Sequence, residues 1–389
     1  MSYFSPKSSI PALESEPGRE DVQTGLTPAE VISLENVAFG YSRKRLVLQD
    51  LNLSICRGEF LTLLGPSGCG KSTILNLIAG FYAPLAGRVT HGGEPIKGPS
   101  ARRGVVFQSN ALFDWMTVEQ NIAFGFRFQS IAKYESQQRV KTIIELVGLK
   151  GSERKYPYEL SGGMRQRVAE ARSMVVQPDI LLMDEPLAAL DTSRKAEILP
   201  YIERLRDEVK VPILYVSHDV SEVARLATTL AVLKDGKVAV EGPVGEVLSR
   251  PDAVPLLGVR AAGAVIETRI AGRLLDDGLT ELAFSGGRIM MPGNLGQFGQ
   301  TIRLRIPAQD VILAREAPRG LSALNVLPVR ITGIEQGRGP GVAIGLRAGK
   351  DDLLARITRR SMQRMALTVG EDIFAIVKAT AVAPEDVGH

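Results

Sequence analysis

The sequence is poor in several residue types, and each scarcity narrows what the chain can be. It has two cysteines, Cys56 and Cys69, in 389 residues, which are too few for a disulfide scaffold and indicate a reducing compartment. It has no apolar run of the roughly 20 residues that a membrane-spanning helix needs. The polar N-terminus lacks the apolar core of a signal peptide. We therefore expect a cytoplasmic chain whose membrane role, if it has one, comes through a partner.

The sequence also has no large excess of positive or negative charge, with 47 Lys and Arg residues against 43 Asp and Glu residues. The net charge of +4 is small for this length, so the composition gives no case for nucleic acid as a partner. The hydrophobic and charged fractions, 44% and 23%, are those of a soluble globular protein. A chain of 389 residues exceeds one ordinary core, which predicts two or three domains.

The order of apolar segments predicts an α/β domain followed by an all-β region. Residues 1–30 are rich in Ser, Pro and Glu and are expected to form a flexible tail. Over residues 31–250, short apolar strands alternate with helices, which predicts a largely parallel sheet with helices packed on it. After Pro251 long helices nearly vanish, and short alternating strands predict small OB-like β-barrels. A break near Pro318–Gly320 is expected to divide this region.

These patterns also predict particular elements. The predicted strands of the α/β domain are Val31–Val37, Phe60–Leu64, Gly104–Phe107, Ile180–Met183, Ile213–Val216 and Leu230–Lys234. The predicted helices are Lys71–Ala79, Val118–Phe126, Ala132–Val147, Gly163–Val176, Ser193–Val209 and Val220–Leu226. In the β-rich region the strands Val265–Ile270, Thr301–Ile306, Val329–Ile334, Val342–Leu346 and Ile373–Ala379 are predicted.

The strongest motif is a glycine-rich loop that follows an apolar strand and opens a helix. Its residues are Gly65, Pro66, Ser67, Gly68, Cys69, Gly70, Lys71, Ser72 and Thr73. Glycines let the backbone curl so that its N–H groups converge on phosphate, and the helix N-terminus adds positive partial charge. Lys71 is expected to reach the β- and γ-phosphates of ATP, and the Ser72 hydroxyl to ligate Mg²⁺. A chance match to a glycine turn is the alternative.

Two further strands end in groups that suit nucleotide hydrolysis. The apolar strand Ile180–Met183 ends at Asp184 and Glu185, and a carboxylate there can hold Mg²⁺ while the next polarises water. Taken alone, these are as well explained as solvated acids. A second strand ends at His218, one of only three histidines, at the strand edge where α/β ligand sites gather.

A glycine pair before another helix adds a second anion-facing helix end. Ser161 is expected to cap the helix that follows, with Gly162 and Gly163 leaving its amide end bare. As a local pattern it is also that of an ordinary helix cap.

Together these residues resemble the ATP-binding-cassette ATPases, in matching order and spacing over residues 31–250. Tyr41 matches the aromatic residue that stacks on adenine, and Leu160–Arg167 matches the family's signature sequence. Gln108 matches the glutamine that contacts Mg²⁺ and faces the membrane subunit, and His218 matches the switch histidine. The resemblance implies catalytic roles for Glu185, His218, Lys71 and Gln108, and metal contacts from Ser72, Gln108 and Asp184.

The resemblance also implies an assembly. Two copies would sandwich two ATP molecules, each phosphate loop facing the partner's signature sequence, and hydrolysis would open the dimer. The residues implied to contact the partner's ATP are Ser161, Gly162, Gly163, Gln166 and Asp191. The implied partners are two integral membrane permease subunits at the cytoplasmic face of the inner membrane, and indirectly a periplasmic or lipid-anchored substrate-binding protein. Trp115 is expected either at the permease interface or packed in the helical subdomain.

The two parts of the chain resemble different importers. The stretches around Gln108 and Ser161 look like the nitrate, taurine and sulfonate importers. Residues 251–320 and 321–389 look like the linker and the molybdate-binding barrel (the MOP/TOBE type) of molybdate-importer ATPases. Ser322, Thr358, Ser361 and Lys378 match oxyanion-binding positions of that barrel, since neutral donors with one cation suit a divalent tetrahedral anion. Leu324 stands where that family often has a basic residue.

Three hypotheses for the function follow. The preferred one is the ATPase of an importer of molybdate or tungstate, because the accessory region is the part most linked to cargo. The alternative is an importer of nitrate, taurine or an aliphatic sulfonate. From another class come a soluble ATP-binding-cassette ATPase and an oxyanion sensor. The two-cassette chains typical of translation, the coiled-coil insertion typical of repair and the fused spans of an exporter are not evident in the sequence.

Overall fold

The computed structural model describes residues 30–388, apart from 43–44, 109–110, 130, 259–260, 275, 338 and 382–385. The predicted flexible tail therefore lies, except for Glu30, outside the described residues. Within the described part of the chain, no helix has both the length and the apolar character needed to cross a membrane.

The N-terminal part, residues 30–250, contains ten strands and seven α-helices among its described residues. The strands are β1 (Glu30–Phe39), β2 (Leu48–Cys56), β3 (Phe60–Leu64), β4 (Ala86–His91), β5 (Glu94–Pro95), β6 (Arg103–Val106), β7 (Ile180–Asp184), β8 (Ile213–Val216), β9 (Thr229–Lys234) and β10 (Lys237–Pro243). The helices are α1 (Lys71–Ala79), α2 (Val118–Ala123), α3 (Lys133–Leu146), α4 (Gly162–Met174), α5 (Thr192–Val209), α6 (Val220–Leu226) and α7 (Val244–Ser249).

The central sheet has the strand order β10-β9-β3-β8-β7-β6, with β9 to β6 parallel and β10 antiparallel at the edge. All five residues of β3 and all four of β8 are buried. Such strands read as continuous apolar runs rather than alternating ones because both faces of the sheet are covered. The carboxyl ends of β3, β7 and β8 meet at one edge, where α/β sheets hold their ligands.

Separate hydrophobic cores cover the two faces of this sheet. On one face, α1 and the antiparallel sheet β2-β1-β4-β5 bury residues such as Ile32, Leu51 and Ile74. On the other face, α5 and α6 bury residues such as Ile202 and Val223. Burial at roughly 25 cal/mol per Å² of apolar surface makes these cores the main stabilising element of the site's scaffold.

A smaller helical unit, formed by α2, α3 and α4, packs around its own core of residues such as Ile122, Ile144 and Val168. The helix predicted over Val118–Phe126 is shorter than expected. α2 ends at Ala123 and continues as a 3₁₀ turn, Phe124–Phe128. Gly125 lies in that turn against the end of α4, where an added Cβ would come within 2.7 Å of a methyl of Val176. Because of this close approach, the position has no room for a side chain larger than that of glycine.

The C-terminal part is β-rich, as predicted. Its strands are β11 (Gly263–Leu274), β12 (Leu279–Phe284), β13 (Gly287–Pro292), β14 (Thr301–Pro307), β15 (Val311–Ala314), β16 (Asn325–Gln336), β17 (Gly341–Ala348), β18 (Asp351–Thr358), β19 (Asp372–Val377) and β20 (Val387–Gly388). Among the described residues of this part, two short α-helices accompany them, α8 (Val254–Leu257) and α9 (Arg359–Met365).

These ten strands form two antiparallel sheets that share one core. The first has the order β13-β12-β11-β14-β20, and the second the order β15-β19-β16-β17-β18. One core cluster contains residues of both, such as Leu304 and Ile344. The sheets also exchange strands along the sequence, because β15 precedes residue 320 but pairs with β19, and β20 follows the second sheet but pairs with β14. A domain boundary at residue 320 remains a proposal.

Candidate nucleotide site

The glycine-rich loop lies between β3 and α1, as the sequence predicts. Gly70 occupies the position before the first helical residue with φ of +107°, and a Cβ there would come within 2.5 Å of a methyl of Leu48. Only glycine fits both the backbone angle and the space. Gly70 has no side chain to cap α1, so the first-turn N–H groups keep their capacity to bind an anion.

The Lys71 side chain is buried within the loop. Its Nζ donates hydrogen bonds to the carbonyl oxygens of Gly65 at 2.9 Å and Pro66 at 3.1 Å. The ammonium is thus held at the loop, where it adds a full positive charge to the dipole of the α1 N-terminus. A cation and several convergent N–H groups form a site for a polyanion such as a nucleotide phosphate chain.

The two acids at the end of β7 have different environments. Asp184 Oδ1 accepts a hydrogen bond from Ser72 Oγ at 3.0 Å. Burial raises the pKa of Asp184 and the neighbouring Glu185 raises it further, while the Ser72 hydrogen bond and Lys71 lower it. A hydroxyl and a carboxylate oxygen in contact are hard oxygen donors, which suit Mg²⁺ held jointly with phosphate oxygens.

Glu185 is held in a strained backbone conformation that turns its side chain towards His218. Its φ is +45°, which is unusual for a residue other than glycine, and its N–H bonds to the carbonyl of Val216 at 3.0 Å. Glu185 Oε2 lies 3.3 Å from His218 Nδ1. The carboxylate and the imidazole therefore meet at the strand edge, where a water molecule attacking a phosphate could be polarised and oriented.

An aromatic residue and the loop line a cleft of about 700 Å³ beside Lys71. Tyr41 forms one wall with its ring 66% exposed, and its hydroxyl is 3.2 Å from Thr73 Oγ1. Phe39 and Tyr82 pack against the Tyr41 ring with centroids 5.4 and 5.8 Å away and fix its position. A cleft of this size next to a phosphate loop is suited to a nucleotide base.

Comparison with known proteins decides the family. The model of the family described as ABC transporter matches residues 48–188, and that of the TOBE domain matches residues 321–384. The molybdenum import ATP-binding protein ModC of Mesorhizobium japonicum is 44% identical over 333 residues, covering 83% of this chain and 90% of that protein. The chain belongs to the ABC transporter ATP-binding subunits.

Two further relatives agree. ModC of Rhizobium johnstonii is 42% identical and covers 82% of this chain and 92% of that protein. The solved structure of cbiO1 from Clostridium perfringens, part of the ABC transporter complex cbiONQ, has a TM-score of 0.54 at 29% identity. It covers 58% of this chain and 94% of that chain. The predicted family, the predicted fold class and the prediction of an ATPase coupled to transport are therefore confirmed.

The residues matched to the family's signature sequence lie at the start of α4. Ser161 caps the helix by accepting a hydrogen bond from the N–H of Met164 at 3.2 Å. A Cβ at Gly162 would lie 3.3 Å from a methyl of Leu190, so the start of α4 is next to the start of α5, which Asp191 caps. The linings of the two clefts beside the phosphate loop include no signature residue among the described ones. Within one chain these residues do not wall the nucleotide site.

Gln166 differs from the other residues implied to contact the partner's ATP. Its side chain is fully buried, and its Nε2 donates to Glu170 Oε1 at 3.1 Å. The implied trans contact does not fit this position, because α4 presents Gln166 to the interior while Ser161 and Gly162 stand at its exposed end.

Glu170 is a buried acid that the sequence patterns did not single out. Burial raises its pKa to about 7, against the lowering effects of the Gln166 hydrogen bond and of Arg167. It is one of the buried residues of α4, which include the polar Gln166 and Ser173, and no ion pair is found for it among the described residues.

The loop after β6 carries an exposed aromatic side chain. Trp115 is 72% exposed, so the alternative that it packs inside the helical unit is wrong. The buried Asn121 holds this loop, because its amide donates to the carbonyls of Phe113, Met116 and Thr117 and its oxygen accepts from the N–H of Phe113. Gln108, at the end of β6, is also exposed. Asn121 therefore ties down the backbone of residues 113–117, while the Trp115 side chain stays exposed.

The four residues matched to oxyanion-binding positions do not form one cluster within the chain. Ser322 precedes β16, whose first residue Asn325 pairs with Val377, next to Lys378. Thr358 and Ser361 are hydrogen-bonded to each other at 2.8 Å at the start of α9. Thr358 is the last residue of β18 and pairs with Gly341 of β17, which lies beside the other end of β16.

Proposed function

We propose that this chain is the ATP-hydrolysing subunit of an importer of molybdate or the chemically similar tungstate. The observation that carries the proposal is the length of the match to ModC proteins, which runs through both the ATPase part and the TOBE part. This match supports molybdate over nitrate, taurine or sulfonate, the cargoes suggested by the ATPase part alone.

The proposed chemistry uses the residues gathered at the sheet edge. Lys71 and the N–H groups of the loop bind the β- and γ-phosphates of ATP, and Tyr41 stacks on adenine. Ser72, Asp184 and Gln108 would hold Mg²⁺, which supplies charge neutralisation at the phosphates. Glu185 polarises the attacking water.

His218 is proposed to act together with Glu185 in hydrolysis. It lies close enough to Glu185 to orient that carboxylate and to hydrogen-bond the γ-phosphate. Its side chain is 62% exposed in the single chain, so it is open to a ligand from the solvent side.

In the proposed assembly two copies face each other across two ATP molecules. Ser161, Gly162, Gly163 and Asp191 of one copy complete the site of the other, which gives the incomplete single-chain site its missing wall. The helix end at Ser161 offers N–H groups and a positive partial charge to the γ-phosphate. Loss of that phosphate removes the shared ligand, so hydrolysis opens the dimer.

The exposed loop around Trp115 is the proposed contact with the permease. Phe113 packs between Trp115 and Phe124, with ring centroids 5.4 and 4.4 Å away, so the indole is presented on a fixed base. Aromatic anchors of this kind carry a large share of interface energy. The ATPase dimer would dock there on two permease subunits at the cytoplasmic face of the inner membrane, with a substrate-binding protein on the far side.

The TOBE part is proposed to hold oxyanion through two copies of the chain. The pairs Ser322–Lys378 and Thr358–Ser361 lie at opposite ends of β16, so one chain offers only half of the four donors at either place. An end-to-end contact of two copies would bring one pair from each together. Three hydroxyls and one ammonium are donors suited to a divalent tetrahedral anion.

Transport is tested in the native host. Deleting the gene should lower cellular molybdenum at limiting molybdate, and the wild-type gene should restore it while Glu185→Gln does not. Growth on taurine or an alkyl sulfonate as sulfur source should be unchanged. Uptake of nitrate into the cell, measured without relying on a molybdenum enzyme, should also be unchanged. Normal molybdenum content with a defect on sulfonate or taurine would overturn the assignment of cargo.

Anion binding is tested separately by calorimetry of the full chain against molybdate, tungstate, sulfate, nitrate and taurine. Selective binding of molybdate or tungstate should be lost in Lys378→Ala and kept in the control Lys350→Ala, which changes another exposed lysine of the same region. Equal binding by both variants would remove Lys378 from the site, and no binding to any anion would leave the TOBE part as scaffold.

A further inference from the structure

The helix that follows the switch histidine is held from two sides. α6 begins two residues after His218, so the position of the helix fixes the backbone on which the imidazole stands. On the ATPase side, Lys195 of α5 bonds Asp219 at 2.8 Å and Glu222 at 2.7 Å. The Ser217 hydroxyl also donates to Glu222 at 2.7 Å. These contacts anchor both neighbours of His218 to the ATPase core.

The other side of α6 is held by the C-terminal part of the chain. Asp386 Oδ1 accepts from Ser221 Oγ at 3.3 Å and from Arg305 Nη1 of β14 at 2.7 Å. Arg305 and Asp386 are both buried, with side chains 8% and 7% exposed. A buried ion pair holds its members firmly, because removing one partner leaves the other charged and desolvated.

The contact continues along the helix. At Gly388, in β20, a Cβ would lie 2.9 Å from Cγ of Arg225 in the last turn of α6, so the last strand lies directly on the helix. At the far end, Arg303 of β14 donates to the carbonyl of Ala227 at 2.7 Å. Through Asp386 and these contacts, β14 and β20 therefore hold both the start and the end of α6.

We propose that Asp386 is a positioning residue for ATP hydrolysis, which couples the C-terminal sheet to the switch histidine through Ser221 and α6. A displacement of β14 and β20 moves α6, and with it the imidazole that lies 3.3 Å from Glu185. Rates of hydrolysis depend on such placement, since an error of about 1 Å at a catalytic group lowers turnover substantially. The inference rests on the ATPase activity and not on the identity of the cargo.

The test is steady-state ATP hydrolysis by the full chain, without oxyanion, over a range of ATP concentrations. Asp386→Asn should lower kcat about tenfold and leave KM for ATP within about twofold, because Asp386 touches neither Tyr41 nor the phosphate loop. Ser221→Ala, which removes one hydroxyl contact, should lower kcat about threefold. The matched control is Asp372→Asn, which breaks the exposed Arg330–Asp372 pair of the same region and should change neither constant.

The outcomes separate positioning from stability. A lower melting temperature of Asp386→Asn with kcat unchanged at a temperature where the variant is folded would overturn the proposal. If Asp386→Asn does not fold, an unchanged kcat in folded Ser221→Ala overturns it equally. Because the assay contains no oxyanion, a failure of the molybdate assignment in the host leaves this result intact.

Discussion

Glu170 makes the stability of this protein depend on pH in an unusual direction. Burial raises its pKa from the ordinary value of 4.5 to about 7, so the folded chain holds a proton that the unfolded chain has lost. Between pH 4.5 and 7 the folded state binds more protons than the unfolded state, and the free energy of unfolding therefore falls as pH rises. Above about pH 7 the loss is complete.

The magnitude follows from the size of the shift. At 1.36 kcal/mol per pKa unit, a rise from 4.5 to about 7 corresponds to about 3 kcal/mol of lost stability at pH 8. Glu170→Gln removes the titration and keeps the shape of the side chain and its acceptor for Gln166 Nε2. Its amide can also donate to Gln166 Oε1, which has no partner among the described residues. We expect the variant to exceed the parent by about 3 kcal/mol at pH 8 and to match it near pH 5.

Urea unfolding of the nucleotide-free full chain at pH 5, 6.5 and 8 measures this difference. Glu197→Gln is the control, because Glu197 lies exposed on α5 and its removal should shift the curves equally at all three values. A gain from Glu170→Gln that is the same at pH 5 and pH 8, or a loss at pH 8, would refute the reasoning.

Three predictions concern the nucleotide site. Glu185→Gln should keep ATP affinity and lower phosphate release by about 100-fold or more, with a nucleotide-trapped dimer in size-exclusion chromatography; unimpaired hydrolysis would exclude Glu185 as the water-polarising group. Lys71→Ala should weaken equilibrium ATP binding about tenfold or more, because it removes the one ammonium held at the phosphate loop, and unchanged affinity would contradict this. Tyr41→Ala should raise the Kd for ATP, whereas Tyr41→Phe, which loses only the hydroxyl contact to Thr73, should stay near the parent; equal effects of both would argue against stacking.

The α/β part was predictable because its elements carry their signals locally. The strands Phe60–Leu64 and Ile213–Val216 and the helices Lys71–Ala79 and Val220–Leu226 have the predicted bounds. Buried parallel strands are continuous apolar runs, and glycine, serine and aspartate mark the helix ends. The fold then brings Lys71, Asp184 and His218 to one edge, since carboxyl ends of parallel strands always share an edge.

What the sequence did not predict depends on long-range packing. The burial of Gln166 and Glu170 follows from how α4 lies against the sheet, which no local pattern contains. The exchange of β15 and β20 between the two C-terminal sheets is a pairing between distant segments, and strand partners cannot be read from alternation alone. The role of Asp386 was likewise invisible, because its partner Ser221 is 165 residues away.

That separation has a consequence for how the molecule acquires its structure. Contacts between distant residues form late. Closing a long loop costs chain entropy before the contact can stabilise the fold. The ATPase core, whose sheet and helices pack within residues 30–250, can condense on its own, while α6 receives its second support only when β20 pairs with β14. The phosphate loop can thus bind nucleotide before α6 is in contact with both the ATPase core and the C-terminal strands. Binding competence is expected to precede full hydrolytic competence during refolding.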